Sequence, residues 1–269
     1  MSRVEQARAR TPIAIVGVAG TFAGSRDAGE YWDNILREVD CITDVPASHW
    51  AIGDYYDPDP KAPDKTYSKR GGFIPGMDFN PLEFGLPPNI LELTDVAQLL
   101  SLVVASRALA DAGYGESNPH AERTGVVLGA SALSLVGPLA ARLQYPVWRR
   151  VLQSRRVPEK EIDAIVETIK KAYVEWREDA FPGYLSNVVA GRIANRLNLG
   201  GINCSVDAAC ASAMASVQFA MHELRSGDCD VMLAGGVDTN NTPMGFVSFS
   251  KTPAFTKHDR MRPFDEKSD

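Results

Sequence analysis

The sequence predicts an α/β protein whose parallel or mixed sheet is covered by helices. Three observations carry that expectation. Short continuous apolar runs closed by glycine, at residues 12–17 (Pro-Ile-Ala-Ile-Val-Gly) and 125–129 (Gly-Val-Val-Leu-Gly), suit strands buried on both faces. Residues 96–112 are apolar on nearly every side, as an enclosed helix must be. Residues 202–235 read strand, helix, strand, an order that implies a parallel pair joined by a right-handed crossover.

The elements follow in order. Residues 1–10 are polar, with Arg3, Arg8 and Arg10 and no apolar stretch behind them. They are expected to be a flexible N-terminus and not a secretory signal. The ordered region is expected over 11–269, with 41–81 and 140–182 as surface excursions. The first of these is rich in Pro, Asp, Gly and Tyr without a sustained period. Asp95, with Gln98 three residues on, predicts a capping box for the buried helix that ends at Gly113.

Farther on, Ile162, Ile165, Val166, Ile169, Tyr173 and Trp176 recur at steps of three and four. With Pro158 at the first turn, they predict an amphipathic helix over 158–178. Another helix is expected over 187–197, before the turn at Gly200 and Gly201. Then come a strand at 202–207, a helix at 211–225 stopped by Gly227, and a strand at 230–235.

Composition narrows the function classes. The 269 residues carry 45% hydrophobic and 23% charged side chains, an ordinary globular balance. A net charge of −6 and a pI near 5.3 argue against a nucleic-acid surface. Arg149, Arg150, Arg155 and Arg156 cluster locally, which suits a solvated helix end, or else a patch for an acidic partner. No apolar run reaches the ~18 residues of a membrane span. The four cysteines, Cys41, Cys204, Cys210 and Cys229, form no CxxC pair, so neither a metal site nor a disulfide framework is expected. A reducing cytoplasm fits best.

The chemistry concentrates at residues 206–215, Val-Asp-Ala-Ala-Cys-Ala-Ser-Ala-Met-Ala. Cys210 falls where a buried strand hands over to a helix N-terminus, whose dipole and unpaired amides favour a thiolate. Its neighbours Ala208, Ala209, Ala211, Ser212 and Ala213 are small, leaving clearance around the thiol. From the residues alone two readings stay open, a nucleophile or a packing cysteine in an Ala-rich core. Cys204 and Cys229 lack such a junction and read as structural.

That stretch resembles the active-site signature of β-ketoacyl synthases, members of the thiolase-fold condensing enzymes. Other blocks resemble the family in the same order: residues 12–17, Gly-Arg-Ile-Ala-Asn at 191–195, Ala-Gly-Gly-Val-Asp at 234–238 and Arg-Pro-Phe-Asp at 262–265. Blocks at 84–89, 94–98, 142–146, 181–183 and 249–254 are similar to synthases of polyunsaturated-fatty-acid megasynthases and of related iterative enediyne and glycolipid-type polyketide synthases.

The resemblance implies a layered thiolase-like α/β fold, N-terminal half. It also implies an acyltransferase that holds an acyl chain as a thioester on Cys210 and condenses it with a decarboxylated malonyl unit. The Cys210 backbone N–H would be one oxyanion donor. Ala132, Leu133 and Met214 would line the acyl pocket, or serve equally as core. The implied partners are an acyl carrier protein with its malonyl and acyl thioesters, and a second copy paired through 202–207. No metal or cofactor is expected on this chain, because the phosphopantetheine belongs to the carrier.

Two histidine blocks of the family, resembling Glu-Ala-His-Gly-Thr-Gly-Thr and Asn-Ile-Gly-His, do not occur here. His49, His120, His222 and His258 sit in unsuitable contexts. The expectation is therefore an N-terminal half that lacks the C-terminal half and does not condense alone. The alternatives are a non-catalytic carrier-binding or chain-length partner subunit, whose kind usually lacks the cysteine retained here, and a thiolase-like enzyme acting on coenzyme A thioesters.

Overall fold

The computed structural model describes residues 11–115, 117–131, 133–258 and 260–268. Its helices and strands run α1 (Ala28–Leu36), β1 (Ile42–Asp44), α2 (Ile52–Tyr55), β2 (Arg70–Gly72), α3 (Val96–Asp111), β3 (Thr124–Gly129) and α4 (Val136–Arg142). There follow α5 (Tyr145–Ser154), α6 (Glu159–Lys170), α7 (Ala180–Gly183), α8 (Asn187–Arg196), β4 (Asn203–Val206), α9 (Ser212–Ser226), β5 (Val231–Gly236) and α10 (Pro243–Lys251). Among the described residues no helix is long and apolar enough to cross a membrane. The chain forms two units, one from residues up to Ala19 together with Asp78–Thr239, the other from Gly20–Met77 together with residues from Asn240 onward.

The first unit is built on a parallel three-stranded sheet in the order β4-β3-β5. Strand β3 takes the centre and is the most buried of the three, with Val126 and Val127 fully buried. Asn203 and Ser205 make β4 the more polar strand, which suits an edge. Register runs from Val126 opposite Asn203 to Gly129 opposite Val206, and from Thr124 opposite Val231 to Gly129 opposite Gly236. Strands β4 and β5 are thus parallel but not paired, contrary to the simple strand–helix–strand expectation. Helix α9 crosses over β3, which occupies the place between them.

Helices α3 and α8 pack together beside the sheet. Contrary to the enclosed helix that its apolar sequence suggests, α3 is buried along one face, through Ala97, Gln98, Ser101, Leu102, Ala105 and Leu109, while Val96 is 51% exposed and Arg107, Ala110 and Asp111 face outward. Leu102, Ala105, Leu109, Val126, Ala190 and Ile193 share this core, each large side chain contributing roughly 1.5–3 kcal/mol on burial. Asp95 caps α3 as expected, its side chain accepting from Ala97 N–H. Gln98, however, does not return the bond, because its side chain is spent on other segments of the chain.

Two further expectations are corrected. Residues 12–17 form no strand. Gly17 instead lies against Ala108 and Ala112 at the end of α3, and Val18 N–H donates to Asp111 Oδ2 at 2.8 Å. Apolar composition makes a strand only where a neighbour completes the ladder, and Ile15 is left 85% exposed. The amphipathic helix stops at Lys170, well short of residue 178. Arg142 Nη1 donates to the carbonyls of Lys170 and Tyr173, taking acceptors that a continuing helix would need. Trp176 is used in the following coil, donating to Leu139 O at 3.2 Å.

The second unit has an antiparallel pair, with Ile42 opposite Gly72 and Asp44 opposite Arg70. Its core holds Val45, Trp50 and Phe246. Gly71 packs closely there, since a Cβ would meet the Phe246 ring at 3.2 Å. A buried hydroxyl pair, Thr66 Oγ1 and Ser250 Oγ at 2.7 Å, ties the α10 segment to the β2 approach.

Candidate functional site

Because the three strands are parallel, their carboxyl ends lie together, the usual place for a site in an open α/β sheet. Chain from β4 enters a short turn, Ala209–Ala211, and then α9. Cys210 is the middle residue of that turn, and of the four cysteines it is the exposed one.

The turn is held by its own small side chains. Asp207 Oδ1 accepts from Ala209 N–H at 2.9 Å. Ser212 Oγ accepts from Ala208 N–H at 2.8 Å and donates to Ala209 O at 2.7 Å. These bonds hold Ala209 at φ +51°, a left-handed conformation that costs a residue with a Cβ roughly 1–2 kcal/mol. The bonds closing the turn run from Ala211 N–H to Ala208 O and from Ser212 N–H to Ala209 O, so the Cys210 N–H is not used in them.

Glycines decide how close the turn comes to the sheet. A Cβ on Gly129 would stand 2.6 Å from Ser212 C and 2.7 Å from Ala213 N, both backbone atoms. One on Gly236 would stand 2.9 Å from Ala213 Cβ. The first turn of α9 therefore rests on the bare ends of β3 and β5. Ser216, fully buried, fixes the next turn by donating to Gly235 O at 2.7 Å. Sequence reasoning missed these supports. Glycines at the ends of two apolar runs were the signal that could have found them.

The other residues expected at the site fall in different surroundings. Met214 is 71% exposed on α9. Leu133 is buried with Ala97, Ala130 and Val189. Ala132 lies outside the described residues. Burial pushes the Cys204 thiol up from its ordinary range, with Glu223 adding to the effect, and Cys229 is buried.

Three of the histidines are engaged elsewhere. His222 pairs with its neighbour Glu223 at 3.6 Å, His120 stands 4.0 Å from Asp230, and the His49 ring packs on Phe73. Arg149 pairs with Glu159 and Asp163, so part of the arginine cluster is spent on an adjoining helix.

A cleft of about 430 Å³ lies beside α8, lined by Thr94, Asp179, Arg192, Arg196 and Asn203 among others, and Cys210 does not line it. Burial pulls the Arg192 guanidinium below its ordinary pKa. Arg196 adds to this and Asp179 opposes it.

The arrangement presents an exposed thiol and a backbone donor on a rigid, small-residue turn at a helix start. That is equipment for covalent acyl transfer.

The family described as "Beta-ketoacyl synthase, N-terminal domain" matches residues 10–269. One of the subunits of a polyunsaturated fatty acid synthase from Thraustochytrium sp. is 40% identical over 259 residues, covering 96% of this chain and 9% of the relative. The mycoketide-CoA synthase of Mycobacterium tuberculosis is 31% identical over 265 residues, covering 97% of this chain and 6% of the relative.

Among solved structures, a ketosynthase domain of oxazolomycin biosynthesis from Streptomyces albus superposes with a TM-score of 0.71 at 26% identity. It covers 94% of this chain and 38% of that one. The ketosynthase of module 6 of the Bacillus subtilis bacillaene synthase gives 0.64 at 27% identity, covering 89% and 34%. The chain thus spans about a third of the ketosynthases it superposes on, and far less of its curated relatives. Its fold is thiolase-like, and the chain belongs to the β-ketoacyl synthase family, matching that family's N-terminal domain.

Proposed function

We propose that this chain carries the acyl-accepting half of a condensing site in fatty-acid or polyketide assembly, with Cys210 as nucleophile. The observation that carries the reading is the exposed thiol on the tight turn between β4 and α9, beside its own N–H, which the bonds closing the turn leave out.

The thiolate attacks the carbonyl carbon of an acyl thioester presented on the phosphopantetheine arm of a carrier protein. The resulting oxyanion is stabilised by donors that include the Cys210 N–H. The C–S bond to the carrier then breaks, and the carrier sulfur leaves as a thiolate that takes up the proton lost when Cys210 ionised. In the second half-reaction a malonyl thioester loses CO2. The electron pair from the broken C–C bond attacks the acyl carbon, and the Cys210 thiolate is expelled. No histidine of this chain is assigned to the decarboxylation, so acylation is its own share of the reaction.

The 40% identity to a polyunsaturated fatty acid synthase polypeptide supports a fatty-acid-type, iterative version of this activity. A nucleophilic thiol has to stay reduced, which fits a cytoplasmic enzyme. The outer edge of β4 joins no other strand among the described residues, which supports pairing of two copies through 202–207. Met214 stands near the head of α9 and Leu133 just beyond β3, positions that suit an acyl-chain lining.

The test is acylation of the intact synthase polypeptide by an acyl thioester, read by mass spectrometry of the Cys210 peptide. Label on Cys210 that disappears in Cys210→Ala and persists in Cys204→Ala supports the reading. Label that survives Cys210→Ala sinks it.

A further inference from the structure

Two side chains in the first turn of α3 grip both ends of the long excursion that leaves β3 and returns before α8. Asp95 is 2% exposed. Its Oδ1 accepts from Ala97 N–H at 2.9 Å, while Oδ2 accepts from Ser134 Oγ at 3.0 Å and Leu135 N–H at 2.8 Å. The Asp95 N–H donates in turn to Gly183 O at 2.9 Å.

Gln98, one turn on, is fully buried. Its Nε2 lies 2.9, 3.0 and 3.2 Å from the carbonyls of Pro182, Gly183 and Leu185, and its Oε1 accepts from Arg192 Nε at 2.8 Å. Gly183 has no room for a side chain, since a Cβ would stand 1.6 Å from Leu93 O. The chain departing at 134–135 and the chain returning at 182–185 are therefore fixed at one place.

That place adjoins the Cys210 turn. Ala130 N–H donates to Val206 O at 3.2 Å, joining the departing loop to the end of β4. Ala130 and Leu133 then bury against Ala97 of α3 and Val189 of α8. Leu133 is followed directly by Ser134, so the Asp95 carboxylate fixes the loop within one residue of it. On the return side, Ser205 Oγ donates to Ser186 O at 2.8 Å, tying β4 to the segment that Gln98 holds.

We infer that Asp95 and Gln98 are positioning residues for the acyl-chain pocket: by fixing the departing chain at 134–135 and its return at 182–185, they set the chain length that Cys210 accepts. The inference rests on the proposed reading of Cys210 as the acyl acceptor and of Leu133 as part of the acyl-chain lining. Asp95→Asn is the direct probe. It keeps the shape and the acceptor for Ala97, but turns an amide N–H2 toward the Leu135 N–H, a donor against a donor. Ser134→Ala removes one bond into Asp95 and leaves α3 untouched, which serves if the first variant folds poorly.

The experiment acylates the intact synthase polypeptide with acetyl, octanoyl and palmitoyl N-acetylcysteamine thioesters and follows the Cys210 peptide by mass. Asp95→Asn is expected to change the palmitoyl-to-acetyl rate ratio by about tenfold, the worth of a hydrogen bond to a charged group. Ser134→Ala should change it in the same direction and less. An unchanged ratio in both variants overturns the inference.

Hydrogen exchange on the same proteins gives a second reading without thioesters. Peptides covering 130–136 and 182–185 should exchange faster in Asp95→Asn while β3 and β5 do not change, and unaltered exchange there also overturns the inference. Absence of label on the wild type with every thioester defeats the Cys210 reading and the pocket assignment together. Faster exchange would then mark Asp95 as a structural clamp only.

Discussion

At the amino end of the three-stranded sheet, Arg123 and Asp230 face each other from the starts of β3 and β5. At the carboxyl end the same two strands finish in Gly129 and Gly236 beneath the Cys210 turn. The first end is closed by charge. Arg123 Nε and Nη2 bond the two Asp230 oxygens at 2.9 and 3.0 Å, and Nη2 also donates to the last carbonyl of α9's cap, Gly227 O, at 2.6 Å. The second end is stripped of side chains, so that a helix start and a thiol come close to the backbone.

The contrast teaches where the fold tolerates change. Charge at the amino end fastens strands that burial already holds, whereas space at the carboxyl end cannot be supplied by anything else. The largest effect is therefore expected from Gly129→Ala. The new methyl group meets backbone atoms of Ser212 and Ala213, which cannot rotate away. Overpacking of this kind costs about 1–3 kcal/mol. Because α9 has to shift, Cys210 acylation should fall by about a hundredfold, the scale of a 1 Å misplacement. A melting curve and the Cys210 peptide assay check both parts, and normal acylation in this variant would show that α9's seat on the sheet does not position the thiol.

A subtler probe of the same end is Ala209→Gly. The left-handed φ of +51° is free for glycine, so relief of strain less the extra unfolded-chain entropy should stabilise the protein by about 0.5–1 kcal/mol. If the strained turn holds the thiol in place, acylation should slow as stability rises. Chemical denaturation and acylation rates on one preparation separate the two. A variant both more stable and faster would mean that the turn's strain has no part in positioning Cys210.

This contrast was only half legible in the sequence. Cys210 and the surrounding strand, helix and strand could be read because the signals are local: an apolar run, small residues, a helical period and Gly227, which adopts φ +83° at the helix end. The central place of β3 could not, since sheet order depends on burial across the whole unit. Gln98 looked like half of a capping box because local spacing says nothing of carbonyls arriving at 182–185. Tyr173 and Trp176 kept a helical period yet lie beyond α6, where Arg142 takes the carbonyls of Lys170 and Tyr173. Residues 12–17 had a strand's composition without a neighbour to make them one.

The smallest effect is expected at the amino end, from Asp230→Asn. The hydrogen bond from Arg123 is the main reason that the Asp230 carboxyl is held below its ordinary pKa, with the Arg123 and His120 charges assisting. The Arg123 guanidinium is raised in turn by the same bond. A carboxylate whose folded pKa is lowered adds stability that is fully present above its unfolded value, roughly 3.9. That contribution fades as pH falls toward the lower folded value and is gone below it. At neutral pH the wild type should therefore melt slightly above Asp230→Asn, by less than either carboxyl-end variant shifts the transition. The difference should shrink as the pH falls below about 4 and also with added salt, because the pair is exposed. Melting curves of the two proteins across that pH range check the sign. A difference that grew on acidification would mean that Asp230 is stabilised by something other than its charge on Arg123.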